Sequence, residues 1–279
     1  MTYRDILVHI DAAASKPRYE IAAGLAARGS GALSGVYLRA SLINQYVNIG
    51  SIGYLPPDDL DWLIREHEEG QAEAAAAAGA ALQIAATAAG VTCAWRVIDG
   101  DTPDALVAEA RRADVAVMPA PIANPPYNVH GSAVDVALGG GGPVLVVPDT
   151  VSQTQVGRRV LVAWNGSREA ARALREALPL IESDAAVTVL TIRAKGTDLT
   201  PDAGLARHLE RLGFRPNLVV VGDDAAAEVL IAGQAKAIGA DLIVMGLYGH
   251  ARLQEFVLGG ASRGMLVLRG SDTPLLVAH

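Results

Sequence analysis

The chain has 279 residues, of which 51% are hydrophobic and only 4% aromatic, and its formal net charge is −7. This negative net charge excludes nonspecific binding to nucleic acid, which requires a basic surface. The single cysteine, Cys93, excludes an intramolecular disulfide framework, and its apolar strand context indicates a buried structural thiol. The Ala-rich stretch 72–91 is interrupted by polar residues, and the N-terminal apolar run is short, so neither a membrane span nor a signal peptide is predicted. A cytoplasmic protein is therefore expected.

The first half of the chain alternates apolar strand patterns with helical patterns. Two local signals divide it further: a loop that opens a helix at 100–104, and an Ala-Asp pair, Ala113-Asp114, before a strand. The predicted elements, in chain order, are a strand from Asp5 to Ile10 that ends at Asp11, a helix from about Pro17 to Arg28, a strand Leu33–Leu38, a helix of about 59–89, a strand Thr92–Ile98, a helix after Asp104, a strand Val115–Met118, a further loop and helix, and a strand Val144–Val147.

The second half repeats this plan after a polar segment, 149–158, which is predicted to be a linker. Its predicted elements are a strand from Arg159 to Asn165, a helix Arg168–Ile181, a strand Val187–Ile192, a helix Pro201–Leu212, a strand Asn217–Val221, a helix after 222–225, a strand Asp241–Met245 preceded by Ala240, a helix Arg263–Arg269, and a strand from Pro274 to His279. Such alternation predicts right-handed βαβ units. The sequence therefore predicts an α/β protein made of two repeated doubly wound parallel-sheet sandwiches, with domains at 1–149 and 159–279.

Glycines cluster after the strand that ends at Met245. They occur as Gly246-Leu-Tyr-Gly249 and, after nine residues, Gly259-Gly260-Ala261-Ser262. Glycine lets backbone N–H groups approach a ligand closely, and a helix N-terminus just beyond adds positive partial charge. Doubly wound sheets bind ligands at the carboxyl ends of their strands. No lysine lies in a GK[ST] context, which excludes a P-loop NTPase. The pattern predicts a lysine-free phosphate site.

These residues resemble the universal stress protein family in its tandem-domain form, over nearly the whole chain. The family signature G-2x-G-9x-G-[ST] is matched by Gly246, Gly249 and Gly259, with Gly260 in place of the usual Ser or Thr. The family's D-G-S-like turn is matched by Asn165-Gly-Ser167, with Asn in place of Asp. The resemblance implies the adenine nucleotide alpha hydrolase-like, Rossmann-like fold.

The resemblance also implies that the C-terminal half binds ATP, with magnesium as an optional companion. The implied site places adenine and ribose near the ends of the first two strands and the phosphates against the glycine loop. The residues implied are Ala163, Asn165 and Leu190 for the nucleoside, and Met245, Gly246, Gly249, Gly259, Gly260, Ala261 and Ser262 for the phosphates. The departures at Asn165 and Gly260 are expected to weaken affinity or to change the preference among adenine nucleotides.

The N-terminal half departs further from the family pattern. It keeps Asp11, but Pro119 and Ile122 stand where the first two glycines are expected, and the loop that ends at His130 is one residue short. Proline also lacks the N–H donor that the site would use. We therefore expect no nucleotide binding of the family type in this half.

Three functions remain open on the sequence alone. They are a nucleotide-responsive stress or signalling module, a slow ATP hydrolase in which Asp223 or Asp224 holds magnesium, and a scaffold that binds no nucleotide or another small ligand. Gly260-Ala-Ser262-Arg-Gly264 also matches the G-x-S-x-G elbow of serine hydrolases, with Asp272 and His279 following. That motif needs a strand leading directly into it, and residues 253–258 do not read as one. No catalytic residue and no metal site are predicted.

The last strand of each half is short and apolar. The strands Val144–Val147 and Leu275–Val277 are predicted to be edges that pair the two halves as an intramolecular pseudo-dimer, or two chains as a homodimer. The predicted partner is thus an adenine nucleotide, with neither nucleic acid nor membrane.

Overall fold

The computed structural model describes residues 2–39, 57–99, 103–120, 133–193, 200–222, 225–247 and 271–279. These residues form strands β1 Asp5–Ile10, β2 Ala32–Arg39, β3 Thr92–Asp99, β4 Val115–Pro119, β5 Val144–Val147, β6 Arg159–Ala163, β7 Ala186–Arg193, β8 Asn217–Gly222, β9 Leu242–Gly246 and β10 Leu275–Ala278. They also form helices α1 Lys16–Gly29, α2 Pro57–Ala89, α3 Pro103–Ala110, α4 Ala133–Gly139, α5 Arg168–Ala177, α6 Ala203–Arg211 and α7 Ala227–Ile238. The helix predicted at 263–269 lies outside the described residues.

All ten strands belong to one sheet, in the order β3-β2-β1-β4-β5-β10-β9-β6-β7-β8. Within each half, neighbouring strands are parallel. The five strands of the second half follow the same order as those of the first. This confirms the predicted α/β architecture with two similar doubly wound halves. The strand order reverses direction between β1 and β4, and again between β6 and β9, and such points are where ligands bind.

The two halves meet through antiparallel pairing of β5 with β10, in which Leu276 lies opposite Leu145 and Val277 opposite Val144. The last strands thus pair with each other within one chain, so neither is a free edge for a second chain. Because the pairing is antiparallel, the carboxyl ends of the strands in one half point in the opposite direction from those in the other half. The two crevices are therefore separate.

An apolar layer covers each face of the sheet and runs through both halves. The first apolar layer lies between the sheet and helices α1, α2, α5 and α6. The second apolar layer lies on the other face, under α3, α4 and α7. Burial on both faces explains why the strands are almost continuously apolar. Trp164 packs against the first apolar layer, and its Nε1 donates to Asp202 Oδ2 at 3.1 Å.

The Ala-Asp pair that precedes the fourth strand of each half has a structural role, because its carboxylate binds the backbone of a neighbouring strand. Asp114 Oδ2 accepts hydrogen bonds from the backbone N–H groups of Arg4 and Asp5. The buried Asp241 carboxylate likewise accepts from three consecutive N–H groups, residues 157–159. Each carboxylate thereby satisfies the backbone at the start of a central strand. The repeated motif has a physical reason that involves no ligand.

The segment 149–158, predicted to be a polar linker, is packed on the fold. Val151 and Val156 are buried in the first apolar layer. Arg28 Nη1 donates to the carbonyl of Val156 at 3.3 Å, and Thr150 Oγ1 donates to Asp272 Oδ1 at 2.6 Å. We call this segment the connector.

Among the described residues, one helical stretch, 59–89 in α2, is long and apolar enough to cross a membrane by length and composition. Its hydropathy comes mainly from alanine, and a third of its most apolar window is buried inside the fold. The helix packs along α1, and the buried side of its second half includes Ala75, Ala78 and Leu82. The helix thus packs one side against the fold and leaves most of this window outside the core.

Candidate functional site

The crevice of the C-terminal half opens where β6, β7 and β9 end. Ala163 at the end of β6 pairs with Leu190 of β7 on one side and with Met245 of β9 on the other. All three side chains belong to the second apolar layer, in which Leu190 is buried and the other two are partly buried. Three predicted site residues therefore lie side by side and form an apolar floor.

Asn165 lies at the surface, two residues beyond β6. Its Oδ1 accepts a hydrogen bond from the backbone N–H of Ser167 at 3.0 Å, and Ser167 Oγ caps α5 by accepting from the N–H of Ala170 at 3.1 Å. Gly166 between them has φ +73°, which favours glycine. The turn fixes the side-chain oxygen of Asn165, and the amide NH₂ group remains a donor for a ligand.

Gly246 ends β9 directly against the first turn of α5. A Cβ atom at this position would lie 2.5 Å from the backbone N of Ala170 and 2.5 Å from the backbone C of Glu169. A side chain here would force the strand and helix apart. The close packing of strand and helix is thus a reason for this glycine beyond any contact with a ligand.

Glu169 is a residue of this crevice that sequence reasoning missed. Its side chain is only 12% exposed, and its Cβ lies beside Gly246. Its own backbone N–H lowers the pKa of this carboxyl, with Arg168 and Ser167 adding to the effect against the opposing influence of burial. The helix that flanks Gly246 therefore carries an ionised carboxylate, which forms an ion pair with the exposed Arg168 at 3.0 Å. The available signal was an acidic residue in the first turn of a helix, which stability alone would also explain.

The remaining predicted site residues lie outside the described part of the chain. These are Gly249, Gly259, Gly260, Ala261 and Ser262, together with Asp223 and Asp224. Within the part that the structure describes, no group of three or more His, Cys, Asp or Glu side chains is arranged to hold a metal ion.

The two partners required by the serine hydrolase alternative lie far apart. Asp272 precedes β10 and binds Thr150, whereas His279 follows β10 and its Nδ1 lies 3.1 Å from the carbonyl of Leu247. The two side chains are thus at opposite ends of one strand. They cannot serve one nucleophile, and the G-x-S-x-G match loses its support.

The N-terminal half offers an internal comparison for the same crevice. Asp114 contacts Asp5 as Asp241 contacts Arg159, which aligns β1 with β6 and β4 with β9. In this alignment His9 corresponds to Ala163 and Pro119 corresponds to Gly246. Arg18 lies three residues after Ser15, the N-cap of α1, and Ala170 lies three residues after Ser167, the N-cap of α5. Arg18 therefore corresponds to Ala170. Each small residue of the C-terminal crevice therefore has a larger counterpart in the N-terminal one.

Pro119 changes the hydrogen bonding at the end of β1. The β1–β4 pairing ends at Val8, whereas the β6–β9 pairing continues to Ala163, the counterpart of His9. Proline has no N–H to donate to the carbonyl of His9. That carbonyl instead accepts a hydrogen bond from Arg18 Nη1 at 3.1 Å. The fully buried Arg18 side chain thus replaces a missing backbone donor.

Arg18 also holds two carboxylates. Its Nη1 lies 2.7 Å from Asp11 Oδ2 and its Nη2 lies 2.9 Å from Asp149 Oδ1. Burial lowers the pKa of Arg18, but the hydrogen bond to Asp11 and the charges of both carboxylates outweigh it and raise the pKa. The acidic residue that this half shares with the family motif, Asp11, is therefore engaged by an internal guanidinium.

Comparison with solved structures places this architecture among known ones. A universal stress protein from Archaeoglobus fulgidus DSM 4304 is 18% identical, with a TM-score of 0.67, over 98% of this chain and 95% of the other. A functionally unknown protein from Pseudomonas aeruginosa PAO1 is 15% identical, with a TM-score of 0.53, over 99% and 92% of the two chains. The likeness at these identities is one of fold, and it confirms the fold that the resemblance implied. A scan against protein-family models and a search of curated proteins give no match.

We predict that His9 makes the folded state less stable in acid. Burial lowers its pKa from 6.5 to about 4, so between these values the unfolded chain binds a proton that the folded chain does not. Linkage then lowers the free energy of unfolding as the pH falls through this window, by about 3 kcal/mol in total. Urea denaturation of the wild type and His9→Gln across this range measures the effect.

The free energy of unfolding of the wild type, relative to that of His9→Gln, should fall by about 3 kcal/mol from pH 7 to pH 4. His208→Gln, on the exposed face of α6, serves as the control and should leave the pH profile unchanged. Parallel profiles for the wild type and His9→Gln would contradict the prediction.

Proposed function

We propose that this protein is a universal stress protein of the tandem form, with domains at 1–149 and 159–279, whose C-terminal half binds an adenine nucleotide in the crevice of β6, β7 and β9. The observation that carries the proposal is the contrast between the two crevices. Where the N-terminal half has His9, Arg18 and Pro119, the C-terminal half has alanine or glycine. At Ala163 the small side chain leaves room for a ligand, whereas Gly246 and Ala170 pack closely against each other and bring α5 up to the end of β9.

The floor of the crevice suits the nucleoside part of the ligand. Ala163 and Met245, which are partly buried, supply apolar surface beside the buried Leu190, and Asn165 supplies a polar group at the edge. Small-molecule sites combine a mostly apolar lining with a few polar groups that fix orientation. Adenine would rest on the floor, and Asn165 would bond to a ribose hydroxyl or to the adenine edge.

The phosphates are assigned to the glycine loop, residues 246–262. Its N–H groups and the Ser262 hydroxyl would bind phosphate oxygens without a lysine. Glu169 on α5 weakens the attraction for phosphate, because it adds a negative charge on the helix that flanks Gly246, although this carboxylate also pairs with the exposed Arg168 at 3.0 Å. Magnesium bound to the phosphates would offset that repulsion, so the proposed ligand is ATP with magnesium, and nucleotides with fewer charges compete well.

The proposal is tested by exchanging the matched residues. Ala163→His gives the C-terminal crevice the side chain of the N-terminal one, and it should weaken ATP binding at least about tenfold, because an imidazole would occupy the space of the ligand. Isothermal titration calorimetry with ATP, AMP and cyclic AMP measures this.

The matched control is His9→Ala, which should leave ATP binding unchanged. Failure of the wild-type protein to bind any of the three nucleotides would contradict the proposal. Release of phosphate from ATP above background would favour the slow hydrolase, whereas a nucleotide-responsive module requires binding alone.

A second prediction concerns Glu169. Two unit charges about 8 Å apart interact by about 2 kcal/mol at an effective dielectric constant of about 20, and salt reduces this further. Glu169→Gln should therefore strengthen magnesium-free ATP binding about fivefold and leave cyclic AMP binding nearly unchanged.

Glu176→Gln, two turns further along α5, removes the same charge away from the crevice and is the control. The same gain for ATP in both variants would show that Glu169 has no local role.

A further inference from the structure

Unpaired buried polar atoms are concentrated at the start of α1. Among the described residues, the buried side-chain atoms without a hydrogen-bond partner are His9 Nδ1, Ser15 Oγ, Arg18 Nε and the Tyr19 hydroxyl. Strand alternation places His9 on the opposite face of the sheet from α1, since its neighbours Val8 and Ile10 face the helix. The other three belong to Ser15, Arg18 and Tyr19, which lie within the first turn of α1 and its N-cap. Their side chains are at least nine-tenths buried.

The N-terminus of α1 also lacks a side-chain cap. Ser15 occupies the N-cap position but makes no capping hydrogen bond. By contrast, Ser167 caps α5 and Asp202 caps α6 through their side-chain oxygens. The first N–H groups of α1 therefore retain positive partial charge that no capping oxygen satisfies. Hydrogen-bond donors without a partner and the positive end of a helix both favour the binding of an oxyanion.

A carboxylate already lies at this place. Asp149, the first residue of the connector, binds Arg18 Nη2 at 2.9 Å, and its side chain is 55% exposed. Arg18 Nη1 is held from inside by Asp11 and by the carbonyl of His9. On the guanidinium edge formed by Nε and Nη2, Nη2 donates to Asp149 at 2.9 Å and more weakly to Asp11 Oδ1 at 3.4 Å, whereas Nε has no hydrogen-bond partner.

We propose that the N-terminal half binds a small monocarboxylate at this edge of Arg18, in exchange for Asp149. The ligand's two oxygens would accept from Nε and Nη2 in the bidentate geometry that guanidinium favours. The Ser15 and Tyr19 hydroxyls supply two further donors.

The charges of the site favour a monoanion. Asp11 already cancels Arg18, so exchanging Asp149 for a ligand with one negative charge leaves the net charge of the site unchanged, whereas a dianion makes it more negative. Burial raises the pKa of Tyr19 to about 12, with Arg18 opposing, so its hydroxyl keeps the proton that it would donate. Binding would also release the first residue of the connector from α1.

Acetate is the probe for this site. In calorimetric titrations of the full chain at constant ionic strength, Asp149→Asn removes the resident carboxylate and should bind acetate at least about tenfold more tightly than the wild type. Asp272→Asn, which loses a connector contact that does not involve Arg18, is the matched control and should bind acetate as the wild type does.

Two further measurements identify the donors and the charge class. In the Asp149→Asn background, Tyr19→Phe, which removes only a hydroxyl, should weaken acetate binding severalfold. Inorganic phosphate at pH 8, a dianion, should bind more weakly than acetate. Equal acetate affinity in the wild type and Asp149→Asn would overturn the proposal, and so would tighter binding of phosphate or no effect of Tyr19→Phe.

Discussion

The antiparallel pairing of β5 with β10 is the contact on which the rest of this structure depends. It joins two five-stranded sets into one sheet and makes the apolar layers on both faces continuous. Without it, two fully buried apolar strands would become exposed edges. Because the pairing is antiparallel, it also separates the two crevices to opposite edges of the sheet. Each crevice can then differ in chemistry while the shared core stays the same.

The difference between the crevices follows from one substitution and its compensations. Pro119 removes a backbone donor, Arg18 supplies a replacement donor to the carbonyl of His9, and Asp11 and Asp149 pair with the buried guanidinium. Leaving any of these groups buried and unpaired would be costly. At the matched positions the C-terminal half keeps a regular strand end at Gly246 and an uncharged Ala170. One crevice is therefore filled by the protein's own groups, while the other has Ala163 where the first has His9.

Much of the fold could be predicted from the sequence because the strands are apolar runs in a repeated order. The pairing of the last strands was also predictable, since both are short and apolar. The Arg18 network was not, because it joins residues that are 131 positions apart, and Asp149 lies in a segment whose composition indicates a linker. Glu169 was missed because an acidic residue in a first helical turn has a sufficient structural reason. The predicted roles of Gly249 and of residues 259–262 stay predictions.

The account centres on a division of labour in which the C-terminal half holds the nucleotide and the N-terminal half does not. Photolabelling of the wild-type protein with 8-azido-ATP, followed by peptide mapping and native mass spectrometry, tests this most directly. The account predicts one nucleotide per chain and labelled peptides from the region 159–279 alone, with protection by unlabelled ATP. Labelling within 1–149, two nucleotides per chain, or labelling that ATP does not suppress would contradict it.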